Sequence, residues 1–189
     1  VMDDIIPTQV DGPQLDDILA VQRLYGDALE KGGGNDSAGK ATFLGSLSVG
    51  ATLARWTLGD TLLVQPTQVD FVSIDGSTDR DFYSFTISAP TVVSLELVPR
   101  GPTYSIGGTS FNARTLNDLD LTLYAANGTT QLAFAASAGL GQTEFISSVL
   151  LPAEGTYLAS VAGSIDQVQL YGISVTAEAV LLPGDVNLD

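Results

Sequence analysis

The feature that most constrains this chain is an alternation of apolar and polar side chains, with a period of two, that recurs from Tyr83 to Val175 with no helical pattern between its repeats. Tyr83, Phe85 and Ile87 alternate with Ser84 and Thr86. Val93, Leu95 and Leu97 alternate with Ser94 and Glu96, and Leu119, Leu121 and Leu123 with Asp120 and Thr122. Tyr157, Ala159 and Val161 make another set, and Tyr171, Ile173 and Val175 the last. Successive side chains of a strand leave opposite faces, so each set describes a strand with one face buried. Asn127-Gly128 is the chemistry of a tight hairpin turn, leading into a strand over 131–135. Weaker strands are expected at 43–47 and 69–74. Eight or so short strands punctuated by Gly, Pro, Asn and Asp can bury their apolar faces only by stacking two sheets. The expected fold is therefore mainly β, an antiparallel β-sandwich with jelly-roll-like connections.

A different period precedes it. Ile18, Val21, Leu24 and Tyr25 recur at helical spacing and predict one apolar face of a single N-terminal α-helix. Asp11-Gly12-Pro13 supplies a cap and a first-turn proline, Asp16 and Asp17 suit the positive helix end, and Gly26 can stop the helix. Lys31-Gly32-Gly33-Gly34-Asn35-Asp36-Ser37 reads as a linker, because consecutive glycines lose much entropy on ordering. The organisation expected is a loop plus helix over 1–30, a Gly-rich linker over 31–40, the sandwich over 41–180 and a polar tail over 181–189.

Charge and missing residue types then limit function. The 189 residues hold 7 basic and 22 acidic side chains, a formal net charge of -15. A phosphate backbone would be repelled, so nucleic acid is excluded as a partner, while hard cations such as calcium are favoured. No apolar run is long enough to span a bilayer; Val149 to Leu151 and Ala179 to Leu182 are typical. The stretch beginning at Val1 lacks the basic start of a signal peptide, so an export signal is expected outside this chain. There is no cysteine and no histidine. That removes thiol nucleophiles, the Ser-His-Asp relay and His-ligated zinc, leaving carboxylate chemistry or none.

Three motifs carry chemistry. Asp79-Arg80-Asp81-Phe82-Tyr83-Ser84-Phe85 is followed by Asp118-Leu119-Asp120-Leu121-Thr122-Leu123-Tyr124 and then by Gly155-Thr156-Tyr157-Leu158. In this order and spacing the succession resembles the bacterial pre-peptidase C-terminal domain, over roughly 69–177. The resemblance implies a non-catalytic module of secreted peptidases, some members of which hold calcium. Asp79, Asp81, Asp118 and Asp120, at the mouths of two strands, are the candidate oxygen ligands. The alternative is that Asp79 and Asp118 accept hydrogen bonds from turn amides, with Asp81 and Asp120 as solvated strand residues.

The second motif is Met2 with Ile6-Pro7, followed by Leu15-Asp16-Asp17-Ile18-Leu19-Ala20-Val21-Gln22-Arg23-Leu24-Tyr25-Gly26. It resembles the final stretch of a matrixin-type zinc metallopeptidase, with Met2 as the turn methionine and Val21 in place of an isoleucine. The family's zinc ligands and catalytic glutamate lie upstream of that turn. This chain, without histidine, would hold no zinc and would not itself be the enzyme; a catalytic domain would be its missing partner.

The third is Asp185, Asn187 and Asp189, the opening of an EF-hand-like calcium loop that stops at its third ligand. It resembles the first residues of a dockerin, which implies cohesin as a partner of the missing remainder. Two glycosylation triplets, Asn35-Asp36-Ser37 and Asn127-Gly128-Thr129, read as linker and hairpin. Together the motifs predict a secreted accessory module of a metallopeptidase, aiding secretion, spacing or attachment to a protein or polysaccharide substrate. The rival is a structural or adhesive surface protein, with Trp56, Phe111 or Phe134 as contact residues.

Overall fold

The computed structural model describes residues 15–30, 34–55, 71–106, 108–136 and 139–178. Met2, Asp11-Gly12-Pro13, the first three residues of the expected linker, Trp56 and the Asp185, Asn187, Asp189 loop lie outside the described residues.

The helix forms where its period predicts, as α1 (Leu15–Tyr25), with Asp16 and Asp17 in the first turn and Arg23 in the last. Gly26 ends it at φ +66°, its N–H donating to the Gln22 carbonyl at 2.8 Å. The buried face is not the expected one. Leu15, Ile18 and Leu19 pack against Ala113, Leu170, Phe71, Tyr104, Phe111 and Leu116. Val21, Leu24 and Tyr25 are exposed, Leu24 at 74%. Both stripes have helical spacing, and only the tertiary partner decides which one is covered.

Among the described residues twelve strands follow: β1 (Thr42–Leu47), β2 (Thr52–Arg55), β3 (Ser73–Ile74), β4 (Arg80–Ile87), β5 (Thr91–Pro99) and β6 (Thr103–Ile106), then β7 (Thr109–Asn112), β8 (Leu119–Ala125), β9 (Gln131–Ala135), β10 (Glu144–Leu151), β11 (Gly155–Gly163) and β12 (Gln169–Glu178). One sheet has the order β1-β4-β11-β8-β9 and the other β10-β5-β12-β2, with β3 also beside β12. β6 and β7 form a separate hairpin. Inward residues of both sheets make a single core, including Tyr83, Phe85, Leu121, Leu123 and Val161 from the first and Leu95, Leu97, Ile146, Ile173 and Val175 from the second. The alternation therefore maps onto two stacked sheets, as a β-sandwich requires.

One pair departs from the antiparallel expectation, since β1 lies parallel to β4. Parallel neighbours need a crossover, and here the chain makes it through β2 and β3 in the opposite sheet before returning as β4. Part of the expected linker is packed rather than free. Asn35 is 1% exposed, and its carbonyl accepts from the Phe82 N–H at 2.8 Å. A short 3-10 turn over Ala38–Lys40 then leads into β1. The Asn127-Gly128 turn does join β8 to β9: Asn127 Oδ1 accepts from the N–H groups of Thr129 and Thr130 at 3.0 and 2.9 Å, and Gly128 sits at φ +66°.

Candidate functional site

The alternation along β4 puts Asp81 on the same face as Tyr83 and Phe85, so its carboxylate enters the sandwich. It is fully buried rather than solvated. Asp81 Oδ2 accepts a hydrogen bond from the Tyr171 hydroxyl on β12, and that hydroxyl lies 2.6 Å from the Tyr83 hydroxyl. Asp81 Oδ1 has no hydrogen-bond partner. Burial pushes this carboxyl well above the usual carboxylate range, and the negative charges of Asp27 and Asp79 push it further.

Asp79, just before β4, stands in the turn as its hydrogen-bonding aspartate: Oδ2 accepts from the Asp75 N–H at 2.7 Å. It does not stand alone. The segment after α1 brings Glu30 and Asp36 to it, and carboxylate oxygens of Glu30, Asp36 and Asp79 all lie within 4.8 Å of one another. Burial is the main cause raising Glu30 to about 8, with Asp79, Asp27 and Asp75 adding to it. Asp79 is raised to about 6, again mainly by burial, against the pull of the Asp75 N–H.

Hydrogen bonds within this segment shape it, and Asp27 and Arg23 fasten it to the sandwich. Asp27 accepts from the Leu29 N–H at 2.7 Å and from the Ser73 N–H of β3 at 3.0 Å. Arg23 donates to the Asp75 carbonyl and pairs with Asp166 at 2.8 Å. The Gly34 N–H donates to the Glu30 carbonyl at 3.0 Å. Gly34 has φ +66°, and a Cβ there would fall 2.2 Å from an Asp36 carboxylate oxygen. Its lack of a side chain leaves that carboxylate its place.

Asp118 and Asp120 belong to a different neighbourhood. Asp120 alternates with the buried Leu119 and Leu121 and so leaves the outer face of β8, opposite to the inward face that Asp81 occupies on β4. Burial and the charges of Asp118 and Glu144 raise it, while Arg80 lowers it. The turn beside Asp118 is organised by its neighbour Asn117, which accepts from the Ile165 N–H and donates to the Gln167 carbonyl, both at 2.8 Å. Among the four candidate ligands the fold thus draws Asp79 and Asp81 toward Asp27, Glu30 and Asp36, and leaves Asp118 and Asp120 apart.

Glu30, Asp36 and Asp27 are the residues that motif reading missed. They flank the glycine run, and the signal available was acids on both sides of a flexible turn. Chemically the group is a set of oxygen ligands that oppose one another's ionisation, and Asn35, next to Asp36 in the chain, has both buried side-chain amide atoms unpartnered. Such a set fits a hard divalent cation and offers no nitrogen or sulfur to a soft one.

Residues 79–163 match the family model described as the bacterial pre-peptidase C-terminal domain. Among solved structures, the chain is similar to the pre-peptidase C-terminal domain of collagenase from Bacillus anthracis at 14% identity and TM-score 0.41, covering 72% of this chain and 94% of that one. It is also similar to a Podospora anserina GH26-CBM35 beta-(1,4)-mannanase at 16% identity and TM-score 0.37, covering 75% of this chain and 29% of that one. No curated protein matches the chain in sequence.

Proposed function

We propose that this chain is a non-catalytic accessory domain of a secreted bacterial metallopeptidase, serving secretion, spacing or attachment to substrate or a surface, and that it holds calcium through Glu30, Asp36 and Asp79. The match of residues 79–163 to the pre-peptidase C-terminal family carries the reading. The matrixin-like helix before it and the dockerin-like Asp185, Asn187 and Asp189 after it fit a place between a catalytic domain and an anchoring module. The absence of histidine fits a role without zinc hydrolysis. Calcium would neutralise carboxylates that now raise one another, and would join the segment following α1 to the turn before β4. Asp118 and Asp120 are, on this reading, surface carboxylates of β8 and its approach.

Mass spectrometry of the native secreted product tests the parentage. Peptides containing His-Glu-x-x-His upstream of Val1 are expected, and a native product without any zinc-peptidase sequence would overturn it.

One observation favours the adhesive reading. Leu132 and Phe134 on the edge strand β9 are exposed, Phe134 at 54%, and so is Phe145 on the edge strand β10. Unpaired strand edges with apolar side chains invite pairing. Light scattering after size exclusion separates the two: a monomer at high concentration supports the accessory role, and concentration-dependent growth supports assembly.

A further inference from the structure

Of the chain's asparagines only Asn127 precedes a glycine, and it is exposed at the β8–β9 turn. That pair carries chemistry of its own. The Gly128 nitrogen has no neighbouring side chain to hinder its approach to the Asn127 side-chain amide, and the bond it would form closes a five-membered imide. The turn nonetheless requires glycine there: Gly128 sits at φ +66°, and a Cβ would stand 2.2 Å from that of Ala38. The fold must therefore carry its most reactive asparagine pair where water reaches it.

Hydrogen bonds restrain the atoms of that reaction. Asn127 Oδ1 accepts from the Thr129 and Thr130 N–H groups at 3.0 and 2.9 Å, and Nδ2 donates to the Thr130 hydroxyl at 2.8 Å. The Gly128 N–H, whose proton must leave before the nitrogen can attack, donates to the Ala125 carbonyl at 3.0 Å. Nucleophile, carbonyl oxygen and leaving group each have a partner, so freeing them means opening the turn. Among the described strands β9 pairs with β8 alone, and the hairpin can open locally without parting the rest of the sandwich.

We propose that Asn127 is a spontaneous modification site gated by the β8–β9 turn: the closed turn keeps the side chain intact, and each opening exposes it to cyclisation. In the open turn solvent base takes the Gly128 proton and the nitrogen bonds to Asn127 Cγ. The Cγ–Nδ2 bond breaks, and Nδ2 leaves as ammonia with a proton from water. Water then adds to one of the two imide carbonyls and gives aspartate or isoaspartate, with nothing oxidised or reduced. Aspartate keeps the Oδ1 acceptor and loses the donor to Thr130; isoaspartate adds a methylene to the main chain, which the turn cannot hold. Either product adds a negative charge and marks a chain whose edge strand, with its exposed Leu132 and Phe134, has come free.

Peptide mapping by mass spectrometry, on the full chain aged at about pH 8, tests it. Conversion is read as a gain of about 1 Da at Asn127. It should run at least about tenfold slower in the folded chain than in the same chain in guanidinium chloride at the same pH. Thr130→Val removes the acceptor of Nδ2 and keeps the N–H that Oδ1 accepts, so conversion of the folded variant should quicken about two- to tenfold, the weight of one hydrogen bond. In guanidinium chloride the variant should match the parent, which separates the turn from any effect of the substitution on the chemistry itself. Equal rates for the parent in and out of denaturant overturn the gate, and that comparison stands whether or not the variant folds. A folded Thr130→Val chain that converts no faster than the parent overturns the part given to the side-chain hydrogen bond.

Discussion

Glu30 and Asp79 titrate in the range where proteins work, because burial and mutual repulsion raise them to about 8 and about 6. A carboxyl raised in the folded state holds its proton longer there than in the unfolded chain, so stability falls as pH rises through that window. For Glu30 the loss runs from near its ordinary 4.5 up to about 8; for Asp79 it runs from 3.8 to about 6. Chelator-treated protein should therefore melt at a higher temperature at pH 5 than at pH 8, and Glu30→Gln should flatten that slope above pH 6. A melting temperature that rises over the same interval would contradict the arrangement. The residues of this site were only half legible in the sequence. Asp79 and Asp81 sit in a motif with strand periodicity around them, but Glu30 and Asp36 lie on either side of glycines that carry no period. Whether such residues meet a strand forty positions onward depends on contacts such as Asp27 with Ser73, which no local pattern encodes.

At the scale of elements, α1 shows what periodicity leaves undecided. Leu15 is 1% exposed against Ala113 and Leu170, and Leu15→Ala should cost about 2–5 kcal/mol in chemical denaturation. Leu24→Ala, on the stripe expected to be buried, should cost no more than about 0.5 kcal/mol. Equal losses would mean that the helix rests on the other face. The β8–β9 turn was fully readable, since Asn127-Gly128 demands one conformation, and a Cβ on Gly128 would stand 2.2 Å from that of Ala38. Gly128→Ala should destabilise by more than about 1 kcal/mol in the same assay. β10 was unreadable for the opposite reason. Its register against β5 shifts between Ile146 and Val149, with Ser148 at φ +52°, so the apolar residues fall out of step just where the bulge sits. β2, β6 and β7 are four residues each, too short for alternation to show. Gln169 is buried on β12 and ties several segments together, accepting from the Leu116 N–H at 2.9 Å and donating to the carbonyls of Arg100 and Ala113 at 3.0 Å. A lone glutamine announces nothing of the kind in sequence.

Across the whole molecule, the two-sheet core followed from the alternation, because apolar faces at Tyr83, Leu121, Leu95 and Ile173 have nowhere to go but against each other. The parallel placement of β1 beside β4 did not follow, as it depends on a crossover through the second sheet. The parallel register, with Thr42 beside Tyr83, and the contacts of Asp27 with Ser73 and of Asn35 with Phe82 bring Glu30 and Asp36 to the base of β4. On the function proposed, the chain is a sandwich whose N-terminal segment calcium would fasten. Thermal unfolding of the chelator-treated chain, with and without calcium at pH 8, tests this most directly. At a hundredfold excess over the dissociation constant, binding adds about 2.7 kcal/mol. For a chain of this size that raises the melting temperature by about 5–10 °C, and Glu30→Gln combined with Asp36→Asn should abolish most of the rise. Identical melting curves with and without calcium would contradict the account.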